Sequence, residues 1–189
     1  MFYRFVFLLS PFVLTLALVS NAAGAELPLR FGLGQVPSKD EIKNWDIDIT
    51  PYSKHLPLGQ GSVEVGKDLY ESQCLACHGR NGKGGVNDRL VAPYDPANNF
   101  ARDEKLKRTI GNYWPYATTL YDYINRAMPL TAPGSLGSDE VYSLVAYLLY
   151  LNNIIKEDAV INDGNLASIE MPARQLFYWS KEGLRAGKP

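Results

Sequence analysis

The 189-residue sequence has few of the cysteines and histidines that build most zinc and disulfide sites. It has only two cysteines and two histidines, so a structural zinc site has too few ligands. The formal net charge is −1, which gives no basic signal for nucleic-acid binding. No βαβ pattern surrounds the cysteines, which argues against a thiol–disulfide protein of the thioredoxin type. We therefore expect no nucleic-acid partner and a site that uses the few sulfur and imidazole groups present.

Both cysteines stand in one short motif, Cys74-Leu75-Ala76-Cys77-His78. The pattern C-x-x-C-H is that of c-type haem attachment. Two thiols three positions apart can each bond one vinyl group of the porphyrin, and the adjacent His78 can reach the iron from one face. The motif occurs once, so the sequence predicts one covalent haem c. Thioether bonds would use both thiols and leave none for a disulfide.

The first 25 residues have the pattern of an export signal. Arg4 supplies a positive n-region, an apolar stretch follows, and Ala23-Gly24-Ala25 is an A-x-A cleavage site. The apolar stretch is short for a membrane span and Pro11 interrupts it, so an uncleaved anchor is the weaker alternative. Export agrees with the haem motif, because haem c is attached outside the cytoplasm. We predict a periplasmic protein with no membrane span after signal cleavage.

Capping residues and apolar spacing predict four helices. Ser62 would cap the helix that carries the cysteines, and Ser138 would cap the last one. Gly66 stands inside the cysteine helix, where a glycine permits close approach of another helix. The last helix has a strong apolar stripe, which fits a core helix better than a membrane-surface helix. The predicted helices span residues 39–45, 63–76, 117–127 and 138–153.

The second axial position of the iron would come from a methionine or stay open. Met1 leaves with the signal peptide, so Met128 and Met171 are the candidates. Met128 precedes Pro129, which favours extended backbone for Met128 at a helix exit. Met128 lies between the haem helix and the last helix, and we therefore prefer it to Met171. His55 is a weaker candidate, and an iron left open would suit gas binding or peroxide chemistry.

Longer stretches of the chain resemble a known family. The haem motif, the Met-Pro loop and a closing helix with Leu144-Val145-Ala146-Tyr147-Leu148 look like class I cytochrome c. Over about residues 30–175, the chain is similar to the cytochrome subunits of Sox-type sulfane dehydrogenases and related sulfite dehydrogenases. The stretches that carry this similarity are Trp45-Asp46-Ile47-Asp48, Leu56-Pro57-Leu58-Gly59, Thr109 to Ala117 and Met128 to Gly134.

The resemblance implies an all-α fold, a single-haem class I cytochrome c domain with irregular N- and C-terminal extensions. It also implies a periplasmic electron carrier beside a molybdenum enzyme that oxidises sulfite or sulfane sulfur, with a downstream cytochrome or oxidase. The expected organisation is a signal peptide at 1–25, an extension at 26–61, the cytochrome c domain at 62–155 and a tail at 156–189.

Two departures from the family pattern stand out. Class I cytochromes usually have proline where Asp88 aligns, in a turn whose carbonyl holds the haem-ligating histidine. Sulfane dehydrogenase cytochromes are often longer and carry a second haem domain. The alternatives are a general periplasmic carrier that serves a terminal oxidase and a catalytic or sensor protein with open iron. An enzymatic role of the chain itself stays undecided, although an electron-transfer role is preferred.

Overall fold

The computed structural model describes residues 32–52 and 56–178. The chain forms two compact units, residues 1–45 and residues 46–189. The predicted signal peptide at 1–25 and His55 lie outside the described residues. Among the residues that are described, no helix has the length and hydropathy needed to cross a membrane.

The first unit contains one described helix, α1 (Lys39–Trp45), at the predicted position. Its N-terminus is closed by reciprocal hydrogen bonds. The Ser38 backbone N–H donates to Glu41 Oε2 over 2.8 Å, and the Glu41 N–H donates to Ser38 Oγ over 3.2 Å. No residue of α1 is buried, so the cap rather than packing defines this helix.

The second unit is built from five helices and one short β-ribbon within its described residues. Three 3₁₀ turns follow the haem motif or lie in the C-terminal part, at Arg80–Gly82, Leu166–Ser168 and Pro172–Leu176. This architecture confirms the predicted all-α class, with little strand. The elements are β1 (Gln60–Ser62), α2 (Val63–Gln73), α3 (Leu75–His78), α4 (Ile110–Tyr113), α5 (Ala117–Ala127), α6 (Ser138–Leu151) and β2 (Val160–Asn162).

The centre of the second unit is the packing of α2 against α6. A Cβ atom on Gly66 would lie 1.9 Å from the Ser143 carbonyl oxygen, so only glycine permits this contact. This geometry confirms the predicted role of Gly66. Every residue of α6 from Val141 to Leu149 is buried, which makes α6 a core helix and excludes the membrane-surface alternative. Each large apolar side chain buried in this way stabilises the fold by about 1.5–3 kcal/mol.

Helix α5 and the C-terminal part of the chain cover other sides of α6. The rings of Tyr121 and Tyr142 lie 4.5 Å apart, between α5 and α6. β1 and β2 pair antiparallel, with Gly61 opposite Ile161. Leu166 is fully buried and Met171 is 3% exposed, so the segment beyond α6 adds to the core. The predicted domain limits at 62 and 155 stay a prediction.

Two predicted helix limits were wrong. The helix predicted over 63–76 ends at Gln73, because Cys74 has φ −117°, away from the helical value, and a new turn starts at Leu75. The cap of α6 is Gly137 rather than Ser138. Glu140 Oε2 accepts from the Gly137 N–H over 2.8 Å, while Ser138 Oγ donates to the Leu58 carbonyl instead.

Candidate functional site

The structure brings both thiols and the imidazole onto one turn of backbone. The Cys74 N–H donates to the Tyr70 carbonyl at the end of α2 over 2.9 Å. The Cys74 carbonyl then accepts from the N–H groups of Cys77, over 3.2 Å, and His78, over 2.9 Å. Both cysteines are half-buried, and neither forms a disulfide. The motif is therefore presented at a helix break, where its side chains are not enclosed.

The Cys74 thiol is unsuited to thiol–disulfide exchange. Burial raises the pKa of Cys74 to about 11, and the neighbouring Cys77 adds to the rise. The thiolate is the nucleophile in such exchange, and redox-active cysteines have a lowered pKa. The raised pKa of Cys74 therefore disfavours the thiol–disulfide alternative.

A backbone carbonyl holds the His78 ring. His78 Nδ1 lies 2.9 Å from the Asp88 carbonyl oxygen. Because a carbonyl only accepts, Nδ1 carries the proton and Nε2 keeps its lone pair for a metal. The resemblance to class I cytochromes indicates that the turn at Asp88 holds this histidine through a carbonyl, and the hydrogen bond confirms it. A histidine that binds a metal normally donates its second N–H in this way.

Hydrogen bonds on both sides of Asp88 take the place of the proline that class I cytochromes usually have there. The Asn87 N–H donates to the Cys77 carbonyl over 2.9 Å, and the Leu90 N–H donates to the Gly82 carbonyl over 2.8 Å. The Asp88 carboxylate forms an exposed ion pair with Lys107, which lowers the pKa of Asp88. The carbonyl of Asp88 is thus positioned by its neighbours, without a fixed φ.

Met128 lies where the sequence predicted it, in extended backbone at the exit of α5. Its φ and ψ are −123° and 147°, and its N–H still donates to the Ile124 carbonyl over 3.1 Å. The side chain is half-buried against the hydrophobic core. The peptide bond to Pro129 is cis. Met171, by contrast, is 3% exposed inside the core.

The available donor set fits haem c. The chain offers two thiols on one turn, an imidazole with its second nitrogen engaged, and the thioether of Met128, which is a usual partner of histidine on haem iron. No group of three or more His, Cys, Asp or Glu side chains among the described residues could hold a metal ion. This absence in the described part of the chain gives the zinc alternative no support.

Three residues that support the site were not singled out from the sequence. Tyr70 donates its hydroxyl to the Gly79 carbonyl over 2.8 Å, and so ties α2 to the residue after His78. Thr109 and Asn112 cap α4 reciprocally, since Asn112 Oδ1 accepts from the Thr109 N–H over 2.7 Å. Their spacing, Thr-x-x-Asn, is a detectable capping signal. The Tyr70 contact has no such local signal.

Comparison with known proteins agrees with this site. The family model described as "Cytochrome C oxidase, cbb3-type, subunit III" matches residues 61–148. One chain of the crystal structure of the sulfane dehydrogenase SoxCD from Paracoccus pantotrophus is 31% identical. That match has a TM-score of 0.71 and covers 85% of this chain and 80% of the SoxCD chain. The chain belongs to the cytochrome c family. This cytochrome binds haem c covalently, as its family does.

A second relative is a thiosulfate dehydrogenase from Psychrobacter arcticus. It is 32% identical over an alignment of 110 residues that covers 53% of the cytochrome and 32% of the relative. The cytochrome thus spans about one third of that relative's length. The two relatives together show that the cytochrome is related to c-type cytochromes of sulfur-compound dehydrogenases.

Proposed function

We propose that this cytochrome is a periplasmic carrier of single electrons that accepts them from a sulfur-compound dehydrogenase. The observation that carries the proposal is the match to the sulfane dehydrogenase SoxCD, at 31% identity over 85% of the chain. A helical cytochrome fold alone would fit many electron carriers. The identity over most of the chain favours a partner that oxidises sulfite or sulfane sulfur. The resemblance of Thr109 to Ala117 and of Met128 to Gly134 to that family supports the same partner.

Four side chains would hold the haem. Cys74 and Cys77 would form the two thioether bonds, His78 Nε2 would be one axial ligand and Met128 Sδ the other. Haem c supplies one-electron redox chemistry at its iron. The Asp88 carbonyl orients the His78 ring through Nδ1–H. A thioether ligand favours ferrous iron, so Met128 would raise the reduction potential.

Export and domain organisation complete the proposal. Residues 1–25 would direct the chain to the periplasm and be removed there, residues 26–61 would be an extension, residues 62–155 the haem domain and residues 156–189 a tail. The electron donor would be a molybdenum sulfite or sulfane dehydrogenase, and the acceptor a downstream cytochrome or an oxidase. The Cys-x-x-Cys-His motif supports this location, because such haems are attached outside the cytoplasm.

The test is reduction of the oxidised, haem-loaded cytochrome by a purified molybdenum sulfite dehydrogenase with sulfite as reductant. We expect saturable reduction that requires both enzyme and sulfite. Thiosulfate replaces sulfite in a parallel assay with a purified thiosulfate-oxidising dehydrogenase. Reduction at equal rates by unrelated periplasmic dehydrogenases would contradict the sulfur-specific role and favour a general carrier.

Ligand binding decides between carrier and open-iron chemistry. The oxidised and reduced protein is mixed with cyanide and carbon monoxide, respectively. A carrier with Met128 on the iron binds both slowly, because the thioether must first leave. Rapid binding of both by the unmodified cytochrome would support a catalytic or sensor protein with open iron instead.

A further inference from the structure

Asn152 is a buried polar residue that follows the last residue of α6. It is 2% exposed, and its side-chain amide makes three hydrogen bonds. Oδ1 accepts from the Ala92 N–H over 3.2 Å. Nδ2 donates to the Leu148 carbonyl over 2.8 Å and to the Leu90 carbonyl over 3.4 Å. The Asn152 amide thus links α6 to the loop at residues 90–92, as an acceptor at Ala92 and as a donor at Leu90.

The loop that Asn152 holds is the one that orients His78. Leu90 follows Asp88 by two residues, and the Asp88 carbonyl accepts from His78 Nδ1–H. The same loop receives two more hydrogen bonds from the start of α4. The Ile110 N–H donates to the Leu90 carbonyl over 3.2 Å, and Thr109 Oγ1 donates to the Ala92 carbonyl over 3.0 Å.

We propose that Asn152 is a positioning residue for the His78 ligand, acting through residues 88–92. The inference rests on the proposed role of His78 as an axial ligand. Asn152 is itself buried and pairs with both a donor and an acceptor of the half-buried loop. A buried polar group left unpaired costs about 1–3 kcal/mol. The loop is therefore fixed to α6, and with it the carbonyl that the His78 ring faces.

The strength of the His78–Asp88 hydrogen bond sets the basicity of the imidazole. A short bond from Nδ1–H to a carbonyl raises the donor strength of Nε2 toward iron. A stronger donor stabilises ferric iron and lowers the reduction potential. Release of the loop would lengthen this bond, weaken the donor and raise the potential.

Two variants disturb the same contact from opposite sides. Asn152→Ala removes all three hydrogen bonds. Gly111→Ala places a Cβ atom 2.4 Å from Asn152 Oδ1 and 2.9 Å from the Ala92 carbonyl oxygen, which pushes the amide and the loop apart. Tyr142→Phe is the matched control, because Tyr142 donates its hydroxyl to the Pro57 carbonyl near the other end of α6.

The measurements use the haem-loaded protein. Proton NMR follows deuterium exchange of His78 Nδ1–H, and a redox titration gives the potential. In both loop variants we expect exchange about tenfold faster and a raised potential, with neither change in Tyr142→Phe. Variants that melt earlier but keep the wild-type exchange rate and potential would overturn the proposal, since Asn152 would then serve stability alone.

Hydrogen exchange in the unmodified cytochrome gives a test that needs no variant. If Asn152 holds the loop, the Ala92 N–H and His78 Nδ1–H exchange through the same opening of the loop. Their exchange then gives the same free energy of opening. Earlier, independent exchange of His78 Nδ1–H would refute the inference. A wild-type protein without an iron-shifted His78 resonance would instead contradict the axial role of His78, which is a failure of the proposed function.

Discussion

The two loops that would face the iron from opposite sides are built differently. The loop after His78, residues 79–92, is bonded to α3, to α4 and to Asn152 at the end of α6. Within the described part of the chain, the loop after Met128, residues 129–137, forms only local hydrogen bonds, such as the Ala132 N–H to the Pro129 carbonyl over 2.9 Å. Its residues 130–135 are all exposed.

This difference indicates which of the two proposed ligands, His78 or Met128, is held more firmly. The His78 ring is held by a loop whose polar groups are satisfied by buried partners. Met128 is held by the end of α5, while Leu136 packs against the core before α6 begins. The loop after Met128 is thus attached to the core at its two ends and exposed between them. We expect the Met128 side of the haem site to open before the His78 side.

The largest expected effect comes from removal of His78, the more firmly held of the two proposed ligands. His78→Ala should abolish the low-spin spectrum of the oxidised protein and sharply reduce the yield of haem-loaded protein. The reason is that no other described residue can supply an imidazole on that turn. Visible spectroscopy shows whether the oxidised protein is low-spin, and the mass of the purified protein shows how much of it carries haem. A low-spin, six-coordinate product in normal yield would show that another residue ligates this side.

Removal of Met128, the other proposed ligand, should have a smaller effect than removal of His78. Met128→Ala should keep the covalent haem, lower the reduction potential and allow rapid carbon monoxide binding to the ferrous protein, because a position on iron opens. Met171→Leu is the control. As a volume-conserving core change it should leave the spectrum unaltered and cost less than about 1.5 kcal/mol of unfolding free energy. An unchanged spectrum in Met128→Ala would exclude Met128 as the ligand.

The packing of α2 against α6 can be tested at Gly66. In Gly66→Ala the new Cβ would meet the Ser143 carbonyl at 1.9 Å, so α2 and α6 must separate. We expect a loss of about 3 kcal/mol in unfolding free energy, measured by denaturant titration. Gly137→Ala should cost less, because the nearest atom to its Cβ is 3.6 Å away. Equal losses of unfolding free energy in Gly66→Ala and Gly137→Ala would mean that the close approach of α2 and α6 does not cause the destabilisation.

The smallest effect is expected at the exposed ion pair. Lys107→Gln removes the partner of the Asp88 carboxylate, whose side chain is 78% exposed. Solvent screens such pairs, and the backbone hydrogen bonds on both sides of Asp88 remain. We expect the potential and the melting temperature to match those of the wild type. A shift in reduction potential as large as that predicted for Asn152→Ala would show that the Lys107–Asp88 ion pair positions His78.

Features set by neighbouring residues were predictable. The caps at Ser38 and Ser62, the limits of α5 and the extended backbone of Met128 all follow from local spacing and from proline. The predicted cap at Ser138 was wrong because a distant carbonyl, that of Leu58, competes for its hydroxyl. The break at Cys74 was also missed, since propensity alone favours one continuous helix.

What the sequence by itself determined is the chemistry: two thiols and an imidazole at the offsets of c-type haem attachment, and a methionine set in extended backbone by Pro129. The tertiary structure alone decided how that chemistry is held. The resemblance already indicated the turn at Asp88 as the acceptor of His78. Only the structure shows that Asn152, 60 residues beyond Ala92, forms hydrogen bonds with the same loop. Such contacts depend on which segments the core brings together, and backbone carbonyls leave no mark in the residue letters.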